Sequence, residues 1–379
     1  MVDRRLPRFP WDALEPYKAR ALAHPGGLVD LSVGTPVDPV PARVREALEA
    51  ASNAPGYPAT AGTRALRAAA AGWLARRHQV TVDPDAVLPV IGTKELIAGL
   101  PALLGCGPGD VVVHPALAYP TYDVGARLAG ATPVAADAPA SLGQGGHAGP
   151  PPLAGTGPGP VRLWWLNSPS NPTGRVLPAR HLRSMVQWAR ERGTVVASDE
   201  CYIELGWEQR PVSVLHPDAC DGSHAGLLAV HSLSKRSSMA GYRAGFVAGD
   251  PDLIAELLEI RKHAGMMVPG PVQAATAAAL SDDDHADAQR ARYAARRGLL
   301  RPALEAAGWA VDHSQAGLYL WASHAARDCW DSVAVLAEAG ILVAPGSFYG
   351  PAGARHVRVA LTATDERIAA AAARLAVLA

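Results

Sequence analysis

Between residues 40 and 270 short β-branched or apolar runs alternate with longer stretches of helical periodicity, an order that few folds accommodate. It predicts an α/β unit with a mostly parallel sheet between helices, because a parallel crossover needs a helix to return the chain to the same end of the sheet. Strands are expected at Val111–Val113, Val161–Leu166, Thr194–Ser198, Leu227–His231 and Tyr242–Ala248. Helices are expected over Ala42–Ala51, Thr63–His78, Glu95–Leu104 (opening at Gly92-Thr93), Tyr122–Gly130 and Pro178–Arg192. From Pro139 to Pro160, thirteen of twenty-two residues are Gly or Pro, too many for a regular element, so a surface loop is expected there. After Pro269-Gly270-Pro271 long helical stretches carry only a few strands, such as Gly317–Trp321 and Val357–Leu361. The expected domains are therefore 41–270 (large), 271–379 (small, α+β) and an N-terminal segment, 1–40, packing on the small one.

Composition narrows the function classes. The 379 residues are 49% apolar and only 18% charged, and Gly plus Pro number 70, so the chain has length and apolar content for a real core. Lys plus Arg (35) balance Asp plus Glu (35), and no Lys/Arg block or spare basic helix-turn-helix segment is present, which argues against nucleic acid as a partner. Cys106, Cys201, Cys220 and Cys329 show no paired framework and no CxxC spacing, which suits a reducing compartment and gives no metal set. Arg4, Arg5 and Arg8 precede no apolar signal core, and no run approaches the roughly 18 apolar residues of a membrane helix. A cytoplasmic protein that binds no metal and no membrane is expected.

Open parallel sheets bind ligands outside the carboxyl ends of their strands. The residues after the expected strands are Asn167 and Asn171, then Asp199 and Tyr202, then Ser232 and Lys235. An amide, a carboxylate, a phenol and a lysine thus converge on one edge. Pyridoxal phosphate needs such a set: an amine for a Schiff base, a carboxylate to hold its pyridinium nitrogen protonated, and donors for its phenolic oxygen.

Only four lysines exist to supply the amine. Lys18 and Lys262 lie in polar surroundings and read as surface charges. Lys94 follows Gly92-Thr93 at a helix start, where backbone N–H groups suit a phosphate but equally suit an ordinary capped helix. Lys235 alone follows a strand among small hydroxyl residues, with Arg243 eight positions on. Each neighbour also has a plain structural alternative: a helix cap for Asp199, a turn for Asn171-Pro172-Thr173-Gly174, rim aromatics for Tyr57 and Tyr119, a surface ion pair for Arg358. Those alternatives explain each residue separately and their joint order poorly.

Ser232-Leu233-Ser234-Lys235, five residues, then Gly241-Tyr242-Arg243-Ala244-Gly245 resembles the lysine signature of fold-type I pyridoxal phosphate aminotransferases, with Asn171-Pro172-Thr173-Gly174 and Asp199-x-x-Tyr202 in the family's places. The resemblance implies a large domain with a mostly parallel seven-stranded sheet and a small α+β domain. It gives Lys235 the covalent link and the proton shuttle, Asp199 the ring nitrogen, Asn171 and Tyr202 the phenolic oxygen, and Tyr119 a stacking role. Gly92, Thr93, Lys94 (through its backbone), Ser232 and Arg243 would hold the phosphate, and Tyr57 would reach the neighbouring subunit's phosphate in a homodimer. Arg358 resembles the clamp for the substrate's α-carboxylate, with Gly34 and Asn171 beside it. No second arginine matches the one with which aspartate aminotransferases bind a side-chain carboxylate.

Four further runs are similar to actinobacterial N-succinyldiaminopimelate aminotransferases: Phe9–Asp12, Asp30–Pro39, Val90–Ile97 and Arg261–Pro269. That likeness implies amino transfer from glutamate to N-succinyl-2-amino-6-oxopimelate, in lysine and diaminopimelate biosynthesis. Another amino-acid aminotransferase, or a carbon–sulfur β-lyase on the same scaffold, is the alternative. The Gly-rich runs 105–109 and 155–159 neither follow a strand nor open a helix, as a dinucleotide fingerprint would.

Overall fold

A computed structural model describes residues 6–137 and 159–378. The expected loop 139–160 therefore lies outside the described residues, apart from its last two positions. The first strand, β1 (Val29–Asp30), is short; the apolar runs that follow become β2 (Val87–Ile91), β3 (Val111–His114), β4 (Thr132–Ala135), β5 (Val161–Asn167), β6 (Val195–Asp199), β7 (Leu227–Ser232) and β8 (Ala244–Gly249). These last seven form one sheet in the order β2-β8-β7-β6-β5-β3-β4. β7, β6, β5, β3 and β4 pair in parallel, whereas β8 runs antiparallel to both β7 and β2.

The sheet is covered on both sides, so its central strands read as continuous apolar runs. Their period of two divides them between two cores: Val111, Val113, Trp164 and Leu166 pack with Trp73, Leu182 and Phe246, while Val112, Leu163 and Trp165 pack with Leu96, Tyr122 and Leu257. Helices Arg64–His78, Ala179–Arg190 and Gly270–Leu280 supply the first layer; Thr93–Leu103, Thr121–Ala129 and Pro251–Ala264 supply the second. Thr63 starts the first of these by accepting from the Leu66 N–H at 3.2 Å.

A second sheet follows the long helix Asp284–Ala306. It consists of β9 (Trp309–Asp312), β10 (Tyr319–His324), one two-residue strand and the last strand of the chain, and all neighbours pair antiparallel. The remaining strands in chain order are β11 (Ile341–Leu342), β12 (Ala344–Pro345) and β13 (His356–Ala360), and the order is β12-β13-β10-β9. β11 pairs in parallel with β1, which places the chain's beginning against this unit, where Leu14, Val29 and Leu31 join Leu320, Leu336, Val357 and Ile368 in one core.

Several expected strands begin later than the sequence reading places them: Thr194–Ser198 at Val195, Gly317–Trp321 at Tyr319, and a third for a visible reason. The Tyr242–Ala248 run enters the sheet only at Ala244, because Tyr242 closes a short helical turn and Arg243 has left-handed backbone geometry (φ 57°). Among the described residues no helix is long and apolar enough to cross a membrane, no group of three or more metal-ligating side chains occurs, and the four cysteines are free.

Candidate active site

Parallel register sets the first three groups. Asn167 at the end of β5 lies beside Asp199 at the end of β6, and Asp199 lies beside Val230, two residues before the end of β7 at Ser232. A four-residue helical turn, Leu233–Arg236, then carries Lys235 back over this edge. Its Nζ donates to the Gly34 carbonyl. Burial lowers the Lys235 pKa from its ordinary value, with Arg358 and Arg243 acting in the same direction against Tyr319 and Cys201. A lysine held this way gives up its proton more readily than one in water, as a nucleophilic amine must.

Asp199 is 5% exposed; its Oδ2 accepts from the Tyr122 hydroxyl at 2.7 Å and its Oδ1 from the Cys201 N–H at 3.1 Å. Desolvation pushes this carboxyl up, and the two donors only partly offset it. Among the described residues no cation pairs with it, and a buried carboxylate in that state favours a protonated ring nitrogen as neighbour. Asn167 fixes the next loop: its amide donates to the Asp199 carbonyl (3.0 Å) and its oxygen accepts from the Asn171 N–H (2.7 Å).

Arg358, on β13, is 3% exposed. It donates to Asn171 Oδ1 (3.0 Å) and the Ser32 carbonyl (2.7 Å), and its Nε is buried without an acceptor. Among the described residues no carboxylate pairs with it. Tyr319 lies against the guanidinium, ring centroid 3.9 Å from its carbon, and Tyr349 at 4.9 Å. Tyr202 is 7% exposed, burial keeps its phenol protonated, and its hydroxyl meets that of Tyr319 at 3.1 Å.

A second cluster forms where β2 ends. Gly92 (φ +73°) opens helix Thr93–Leu103, and a Cβ there would stand 2.1 Å from Arg243 Nη2, so the guanidinium lies directly on the helix's first turn. Thr93 Oγ1 is 3.4 Å from Cys201 Sγ, which joins this turn to the Asp199 strand end. Lys94 turns its ammonium over the Phe9 ring, leaving only its backbone N–H at the helix start. A helix N-terminus beside an arginine and Ser232 favours an anion. The structure thus brings together Gly34, Gly92, Thr93, Tyr119, Asn171, Asp199, Tyr202, Ser232, Lys235, Arg243 and Arg358. Tyr119 borders Tyr122 at 6.1 Å. Tyr57 is 96% exposed and joins no part of this cluster within one chain.

Sequence reasoning missed Tyr319 and Tyr122. Their partners lie 117 and 77 residues away, and neither pair leaves a spacing signal in the chain.

Comparison with known proteins identifies the architecture. Residues 27–375 match the family described as "Aminotransferase class I and II". The chain is 64% identical over 375 residues to a probable aminotransferase of Mycobacterium tuberculosis, covering 99% of this chain and 86% of that protein. It is 62% identical over 372 residues to the 4-dedimethylamino-4-oxo-anhydrotetracycline transaminase of Streptomyces rimosus, covering 98% and 99%. Among solved structures, a probable N-succinyldiaminopimelate aminotransferase from Thermus thermophilus superposes with a TM-score of 0.84 at 28% identity, covering 98% and 100%. The narrower likeness noted in the sequence is thus one of several among its relatives, and what all of them share is the broader one: the chain belongs to the class I and II aminotransferases, fold-type I enzymes that depend on pyridoxal phosphate.

Proposed function

We propose that this aminotransferase is a cytoplasmic homodimer that moves an amino group between glutamate/2-oxoglutarate and N-succinyl-LL-2,6-diaminopimelate, in lysine and diaminopimelate biosynthesis. The observation that carries the amino-acid reading is Arg358: a buried guanidinium with no carboxylate partner and an idle Nε, held by Asn171 and Ser32 beside Lys235. A charge so enclosed gains further from an anion in contact, and its planar fork fits an α-carboxylate.

The residues fit the cofactor. The Gly92 cradle, which a Cβ would fill, and Arg243 suit its phosphate together with Thr93, the Lys94 N–H and Ser232; Lys235 suits its covalent attachment. Asp199 would hold the ring nitrogen, Asn171 and Tyr202 the phenolic oxygen, and Tyr119 the ring face, while Tyr57, free in one chain, would reach the phosphate in a second copy. Bound there, pyridoxal phosphate supplies the electron sink for the substrate's α-carbon. With the cofactor bound, Lys235 would be the base that carries the proton between the substrate's α-carbon and the cofactor's C4′ carbon. Arg358 and the Gly34 backbone orient the substrate, and Tyr202 keeps its proton at the phenolic oxygen.

The narrower substrate is supported by the Thermus likeness and the sequence runs named above. In one of those runs Arg261 is occupied by Glu95 (2.6 Å) and Lys262 by Glu259 (2.6 Å), so the distal carboxylates must find other donors. The Streptomyces relative favours a second reading, in which the acceptor is a ketone on a fused-ring scaffold and glutamate remains the donor. The deciding experiment follows the visible absorbance of the holoenzyme after adding N-succinyl-LL-diaminopimelate with no keto acid. Loss of the lysine-linked band supports the first reading. A band indifferent to that compound but bleached by glutamate discards it and leaves the second.

A further inference from the structure

Tyr319, on β10 of the second sheet, reaches Tyr202 just beyond the end of β6, and nothing in the transfer chemistry above gives it a task. It is 4% exposed on β10, opposite Ala360 of the strand that carries Arg358. A Cβ on Gly34 would fall 2.1 Å from its hydroxyl and 2.9 Å from Cζ, so glycine at 34 is what admits the phenol. Its ring meets Tyr202 edge-on, centroids 5.7 Å apart at 74°, and the two hydroxyls share one hydrogen bond of 3.1 Å.

The direction of that bond decides what Tyr202 can do. The Arg358 guanidinium lies 3.9 Å from the Tyr319 ring, a contact that favours this phenol as the donor of the pair. Among the described residues no cation lies over Tyr202. The distance alone lets either hydroxyl be the donor; with Tyr319 as donor, Tyr202 keeps its own hydrogen for another acceptor. Linked donors polarise one another, so Tyr202 becomes a stronger donor as well.

We infer that Tyr319 is a positioning residue, donating to Tyr202 so that the Tyr202 hydroxyl hydrogen is committed to the phenolic oxygen of bound pyridoxal phosphate. The inference rests on the placement of Tyr202 proposed above. The other titratable or charged groups around this point are Lys235, Asp199, Cys201, Arg243, Arg358 and the phenols of Tyr119, Tyr122, Tyr293 and Tyr349, and Tyr319→Phe leaves each of them in place.

The test is a pH titration of the visible absorbance of substrate-free holoenzyme. A donor on the phenolic oxygen draws density from the conjugated lysine linkage, which then loses its proton at lower pH; losing the donor moves the midpoint up. Tyr202→Phe should raise the midpoint. Tyr319→Phe should raise it in the same direction by about half to one pH unit, the worth of one neutral hydrogen bond. The double variant should match Tyr202→Phe alone. An unmoved midpoint in Tyr319→Phe, or a double variant whose shift is the sum of the two, overturns the role of Tyr319. An unmoved midpoint in Tyr202→Phe overturns the placement of Tyr202 itself, a separate result that leaves the aminotransferase assignment standing.

Discussion

Arg358 shows how much one side chain depends on its shape. Its two donated bonds go to Asn171 and Ser32, and both accept from a planar fork that a lysine ammonium does not reproduce. Arg358→Lys should lower kcat/KM for amino-acid substrates about 10- to 100-fold, the equivalent of losing a charged hydrogen bond, with the loss concentrated in KM; steady-state kinetics with glutamate measure it. Lys235→Ala should fold, bind pyridoxal phosphate without the lysine-linked band, and lose at least about 10²-fold in turnover. Asn171, Asp199 and Lys235 were legible in the sequence because topology puts strand ends on one edge, and each follows a recognisable apolar run. Tyr319 and Tyr122 were not, because they act through partners brought close only by the assembled fold.

Among the elements, the short turn joining β2 to helix Thr93–Leu103 is the most constrained. Gly92 combines φ +73° with Arg243 pressed against its Cα, so a methyl group there faces both backbone strain and a collision. Gly92→Ala should weaken cofactor retention by about tenfold or more while the far-ultraviolet circular dichroism stays unchanged, as dialysis followed by absorbance would show. The strand periodicity was legible because buried strands such as Val111–His114 and Leu227–Ser232 open on apolar runs, Val111–Val113 and Leu227–Val230. The start of β8 was not: Tyr242 adjoins the strand in sequence, and only the left-handed turn at Arg243 removes both from it.

For the whole molecule, stability is coupled to pH through a buried pair outside the site. Glu200 is 1% exposed, its Oε2 3.6 Å from His231 Nε2, and burial raises its carboxyl from 4.5 to about 7. A carboxyl that holds its proton more tightly in the folded chain lowers stability as pH climbs from about 4.5 to 7, and the effect levels off above that. Burial lowers His78 to about 3 and His231 well below its usual value, which has the opposite slope. Glu200→Gln removes only the first contribution. Denaturant melts should show the variant gaining on the wild type between pH 5 and 7, by at most about 3 kcal/mol, with a constant gap at higher pH. Sedimentation equilibrium should give twice the 39.4 kDa chain mass, and Tyr57→Ala should loosen the cofactor without altering Lys235. An active species of 39.4 kDa would rule out the shared site.

The scarcity of lysine has a practical consequence. The Lys94 and Lys262 side chains face solvent, Lys18 is half-buried, and Lys235 is the one lysine whose amine lies in the site. An amine-acylating reagent therefore has few places to react, and a cofactor linked to Lys235 removes one of them. Intact-mass spectrometry after such labelling would count site occupancy directly, as one missing label per chain, without any colour, substrate or turnover.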